Sequence, residues 1–118
     1  MEFVVELEPE VEQWLDSLTF SDYQRALYKG DLLTDRGPLL DEPHARLIAP
    51  GLRELRIPLA HVNMRVSYWF PGGEVAVLMT VWEKKTRKTP PREIERAMKA
   101  MVECTGHERA VLVYDRRR

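Results

Sequence analysis

Residues 51–97 read GLRELRIPLAHVNMRVSYWFPGGEVAVLMTVWEKKTRKTPPREIERA, and this stretch decides the fold. Val62, Met64, Val66, Tyr68 and Phe70 alternate with Asn63, Arg65, Ser67 and Trp69. Successive side chains of a strand point to opposite faces, so residues 62–70 form a strand with one apolar face. Residues 74–82 are apolar on both faces, as a central strand requires. The Pro71-Gly72-Gly73 link between them is a hairpin turn. Residues 52–57 supply a strand before these two. Three consecutive strands with short links predict an antiparallel meander.

Downstream of the meander, Thr89-Pro90-Pro91 opens a helix, with Thr89 as its cap. Ile94, Ala97, Met98, Met101 and Val102 form its apolar stripe, and Gly106 is a natural stop. Residues 1–104 form the predicted domain. Residues 105–118 read as an extension, either mobile or adding a short strand at 111–114.

Upstream, Gly37, Pro38, Pro43, Pro50 and Gly51 punctuate residues 34–51. That segment reads as a loop with at most a fragment of strand at 46–49. Before it lie two helices. Val11, Trp14, Leu15 and Leu18 share one helical face after Pro9. Tyr23, Ala26, Leu27 and Gly30, continuing to Leu33, share another, and Ser21 with Gln24 gives a capping-box signal. Residues 2–7 form a short strand with Phe3, Val5 and Leu7 on one face. The predicted order is β-α-α-β-β-β-α. It describes an α+β fold whose sheet is packed by a helical hairpin and a C-terminal helix.

The chain of 118 residues has a formal net charge of −1, and that total conceals an asymmetry. Residues 1–45 carry eleven acids and three bases, and residues 46–118 carry eight acids and fifteen bases. Such a division points to contact with nucleic acid or another acidic surface, or to two solvated faces of opposite sign. Cys104 is the single cysteine, which excludes an internal disulfide and makes a reducing cytoplasm the default compartment. The acidic start MEFVVELEPE is unlike a secretory leader, and no apolar run is long enough to span a membrane.

Several chemistries find no support. There is no glycine-rich phosphate loop and no nucleophile elbow. His44, His61 and His107 lie far apart and give no metal-ligand spacing, so neither a metal nor another cofactor is expected. The basic residues are more informative. Arg56 lies opposite Leu55 and Ile57 in its strand, and Arg65 lies opposite the apolar alternation. Trp82 is followed at once by Lys84, Lys85, Arg87 and Lys88. A meander brings the arginines, Trp82 and the start of this run onto one surface, where cations meet phosphates and a ring meets a base. The same residues also suit a solvated loop, with Arg56 and Arg65 paired to Glu54 and Glu83 and Trp82 in the core.

Residues 51–97 also resemble the RelE/ParE toxin superfamily, and within it the HigB-like, phage-derived branch. The marks are Gly51-Leu52-Arg53-Glu54-Leu55-Arg56, the Arg65 strand, Lys84-Lys85-Thr86, Lys88-Thr89-Pro90, Glu93-Ile94 and Ala97. The resemblance implies the toxin of a type II toxin–antitoxin pair. It implies a ribosome-dependent mRNA endoribonuclease that cuts in the A site by metal-independent attack of the ribose 2′-OH. Arg56 and Arg65 would stabilise charge on the phosphate, Lys84 or Lys85 would supply the base or acid, and Arg53, Arg87 and Lys88 would clamp the RNA. Trp82 would stack on a base. A helix-turn-helix antitoxin is the implied partner, with a homodimer or a toxin–antitoxin hetero-oligomer both open. The related ParE branch poisons DNA gyrase, and a degenerate toxin would act only as an interaction module. Relatives with a histidine or tyrosine near the end of the last strand differ from this chain, which has Trp82 and Glu83 there.

Overall fold

The computed structural model describes residues 2–104 and 108–112. In chain order the elements are β1 (Val4–Leu7), α1 (Pro9–Asp16), α2 (Phe20–Arg36) and a single 3-10 turn (Gly37–Leu39). They continue with β2 (Ala45–Ala49), β3 (Leu52–Pro58), β4 (Asn63–Gly72), β5 (Val75–Glu83), α3 (Pro91–Glu103) and β6 (Ala110–Val111). The α+β architecture matches the expectation from sequence. The sheet has six strands in the order β2-β3-β4-β5-β1-β6. Strands β2 to β5 form the antiparallel meander.

Strand β1 runs parallel to β5, from Val4 beside Val75 to Leu7 beside Leu78. The chain between these parallel strands runs through α1, α2 and the strands β2 to β4, which supplies the long connection that a parallel pair demands. Strand β5 is therefore internal to the sheet and covered on both sides, which explains its apolar character. Ala76 and Leu78 join Val5, Leu7, Val11, Ala26 and Leu55 in the core beneath α1 and α2. Val77 and Met79 join Leu52 and Ala97 in a second core beneath α3.

A bulge in β5 changes which side its last residues face. Val66 stands beside Val81 and Tyr68 beside Leu78, so Ser67 alone faces both Met79 and Thr80. The extra residue reverses the alternation. Ala76 and Leu78 face the hairpin, whereas Thr80 and Trp82 face the side of α3. The Ser67 hydroxyl oxygen accepts from the Thr80 backbone N–H at 3.0 Å and lies 2.6 Å from the Thr80 hydroxyl. Glu10 holds the neighbouring backbone. Its carboxylate accepts from the Val81 N–H at 2.7 Å and from Arg96 Nη1 at 2.5 Å, tying α1, β5 and α3 together.

Several local expectations change. Thr19, not Ser21, caps α2, accepting from the Asp22 N–H at 3.3 Å. Thr89 does not cap α3, which begins after Pro90 without a side-chain cap. The turn between β4 and β5 is Gly73-Glu74, with φ of 63° and 62°, because β4 continues through Gly72. Two left-handed residues suit the twist of a tight hairpin. The fragment at 46–49 is a full edge strand. In the tail, Ala110 pairs with Leu7 and Val111 with Glu6. Gly106, Val113 and Tyr114, named above as a stop and strand residues, lie outside the described residues.

Candidate functional site

The meander sets two cross-strand rows on the α3 side of the sheet. Arg56 stands beside Arg65, and Arg65 beside Trp82. One step along, Arg46 stands beside Glu54 and Glu54 beside Ser67. The bulge is what brings Trp82 into the first row. The loop after β5 closes over them and is pinned at both ends. The Lys84 N–H donates to the Asn63 carbonyl at 2.8 Å. The Thr89 hydroxyl donates to Glu54 Oε1 at 2.7 Å. Between the pins, the Thr86 hydroxyl donates to the Lys88 carbonyl at 2.7 Å.

These elements enclose a cleft of about 190 Å³, lined by Arg46, Arg56, Arg65, Lys84, Lys85, Arg87 and Lys88 together with Glu54, Trp82 and Thr89. Seven cations thus face one carboxylate. Glu54 is only 2% exposed and is already engaged. Its Oε2 lies 3.1 Å from Arg46 Nε, 3.6 Å from Arg65 Nε and 3.9 Å from Arg56 Nε. Among the described residues, Lys84, Lys85, Arg87 and Lys88 make no ion pair. Arg56 Nε is buried and has no hydrogen-bond acceptor. A buried donor without an acceptor is costly, and an anion in the cleft would satisfy it.

Arg65 Nη1 donates to the Met64 carbonyl at 3.1 Å, which fixes its guanidinium. Burial lowers its pKa, Glu54 opposes that shift, and Arg56 and Arg46 reinforce it. An arginine remains charged under such pressure, so the strain appears as affinity for an anion. Trp82 is 7% exposed and forms a wall of the cleft.

Of the eight residues singled out from sequence, seven line this cleft. Arg53 is the exception. It shares strand parity with Leu55 and Ile57 and lies on the other face of the sheet. There Nη2 donates to the Leu40 carbonyl at 2.9 Å and Nε to the Tyr68 hydroxyl at 3.2 Å. Strand parity places Arg53, expected as an RNA clamp, on the opposite face of the sheet from Arg56 and outside this cleft. Glu54 is the partner of both Arg56 and Arg65, and Glu83 pairs with neither. The sequence reading missed Arg46, Thr89 and the central position of Glu54. Arg46 was legible in principle, because a full strand at 45–49 sets it opposite Glu54. Among the described residues, no group of histidine, cysteine and carboxylate side chains is arranged to hold a metal.

A comparison with protein families matches residues 13–102 to the phage-derived Gp49-like proteins. The chain belongs to the Gp49-like family. That family is part of the RelE/HigB-like toxin group. Among curated proteins, none matches the chain. The matched span takes in α2, the meander, the cationic loop and nearly all of α3, so it covers every residue lining the cleft. Among the described residues of this Gp49-like protein, no helix is long and apolar enough to cross a membrane.

Proposed function

We propose that this Gp49-like protein is a HigB-branch toxin of a toxin–antitoxin pair. It acts in the cytoplasm as an endoribonuclease on mRNA in the ribosomal A site. The observation that carries the reading is the cleft itself. Seven cations surround one sequestered carboxylate, and the buried Arg56 Nε awaits an acceptor.

In the reaction, the ribose 2′-oxygen attacks the adjacent phosphorus and the P–O5′ bond breaks. A base takes the 2′-OH proton, an acid returns one to O5′, and a 2′,3′-cyclic phosphate and a 5′-hydroxyl result. Negative charge accumulates on the non-bridging oxygens in between. Arg56 and Arg65, held in adjacent strands, present planar donors to those oxygens. Lys84 and Lys85 serve as the proton carriers. Arg87 and Lys88 hold the flanking phosphates, and Trp82 packs against the ribose or base. A helix-turn-helix antitoxin neutralises the toxin.

The test is expression without antitoxin, with mRNA ends mapped and DNA integrity followed in the same cells. Growth arrest with new 5′ ends inside codons is expected. Arg56→Gln with Arg65→Gln is expected to slow cleavage by at least about 10²-fold, the scale of losing one aimed donor. DNA breaks with intact mRNA would replace this reading with gyrase poisoning. Full expression without arrest would leave an interaction module.

A further inference from the structure

The sequence division into an acidic and a basic half breaks down on α2. Residues 1–45 contain three bases, Arg25, Lys29 and Arg36, and all three lie in this helix. Their spacings of four and seven residues place them on one stripe. At about 1.5 Å per residue, the stripe is about 16 Å long. Asp31 and Asp35 lie on the other flank, in a groove beside Val4, Val111 and Leu112.

Lys29 joins this flank to the strand pair that carries Arg56. Lys29 is 9% exposed, and its Nζ lies 2.9 Å from His44 Nδ1. The His44 carbonyl accepts the Arg56 N–H at 2.8 Å, so His44 extends the Arg56–Arg65–Trp82 row towards α2. Burial lowers the Lys29 pKa, and Arg56 and Arg65 lower it further. Lys29 therefore senses the charges of the cleft. Beside it, Gln24, Arg25, Tyr28, Lys29 and Pro58 line a mostly apolar groove of about 520 Å³. Tyr28 is 53% exposed. Arg25 meets Asp22 through one nitrogen at 2.7 Å and keeps about half its side chain in solvent. An exposed ring flanked by cations is the arrangement that holds single-stranded RNA.

We infer that the Arg25–Lys29–Arg36 flank of α2, with the Tyr28–Pro58 groove, is a second RNA subsite that binds nucleotides of the substrate strand flanking the cleft. This rests on the endoribonuclease reading above. The strand leaves the Arg56–Arg65 cleft, passes Lys29 and His44, lays a base on Tyr28 and sets phosphates against Arg25 and Arg36.

The test compares purified full-length protein with single-stranded RNA of three and of twelve nucleotides, at several salt concentrations. Arg25→Gln with Arg36→Gln should weaken twelve-nucleotide binding and reduce its log–log salt slope by about 1.4, or about 0.7 per lost phosphate contact. Tyr28→Ala should weaken the same RNA about fivefold or more. Neither change should alter trinucleotide binding, and circular dichroism should show an intact fold. If the parent binds the longer RNA and these variants bind it equally well, the α2 subsite is wrong and the cleft reading stands. If the variants lose affinity for the antitoxin alone, the flank is a protein-docking surface and the inference fails. If the parent binds neither RNA, the cleft reading and this inference fall together.

Discussion

Glu54 is the residue on which the cleft turns. Its carboxylate touches three arginines and accepts from Thr89, yet it sits almost entirely out of water. Truncating one partner of a buried ion pair leaves uncompensated charge. Glu54→Ala is therefore expected to cost about 3 kcal/mol, read as a lower midpoint in urea. It should also free the loop, because Thr89 loses its acceptor. His44 gives a second prediction at this scale. Its pKa is lowered by burial first, then by Lys29 and Arg36. Below the ordinary histidine range the unfolded chain binds a proton that folded His44 resists. Stability is then full above the unfolded pKa and falls as pH drops from about 6.5 towards the folded value. His44→Asn keeps an acceptor for Lys29 and removes the titration. Thermal melts between pH 7 and pH 5 should show a shallower decline in that variant.

The hairpin between β4 and β5 shows what can be read at the scale of elements. Glu74 has φ of 62°, a conformation disfavoured for a side chain with a Cβ. Glu74→Gly should raise stability by about 1 kcal/mol without moving the cleft, measured by chemical denaturation. The strands beside this turn were legible because alternation is a local signal. The existence of α1, α2 and α3 was legible through apolar spacing. The α2 cap was misplaced because Thr19 and Ser21 both lie at the helix entrance, and only the Asp22 N–H contact distinguishes them. The bulge left no mark in the pattern, since Met79 and Thr80 sit in a run apolar enough to serve either face. Thr89 was read as a cap because its local neighbours are helical. Its actual partner, Glu54, is distant in sequence, which no local pattern reports.

At the scale of the molecule, the sheet separates two environments. The hairpin side holds the larger core, and the α3 side holds the cleft. The charge asymmetry follows this division only in part, because α2 carries cations on one flank and acids on the other. The parallel pairing of β1 with β5 was illegible for the same reason as the Thr89 contact. Arg109 closes the far side of the sheet. It donates to Glu8, to Glu6 at 3.0 Å, and to the Cys104 carbonyl and sulfur at 2.8 and 2.9 Å. Arg109→Met should lower stability by about 2 kcal/mol, the scale of lost charged hydrogen bonds. Cys104, now 4% exposed, should then react several-fold faster with a thiol reagent.

The place of β1 beside β5 has a consequence for synthesis. Val4 leaves the ribosome long before Val75, its partner, has been made. At roughly 5–20 residues per second, the first strand waits about 4–14 s for the strand it pairs with in parallel. The cationic loop is made later still. The cleft therefore assembles only after β3, β4, β5 and the cationic loop have all been made. On the toxin reading proposed above, that interval would be time for an antitoxin translated alongside to be present first.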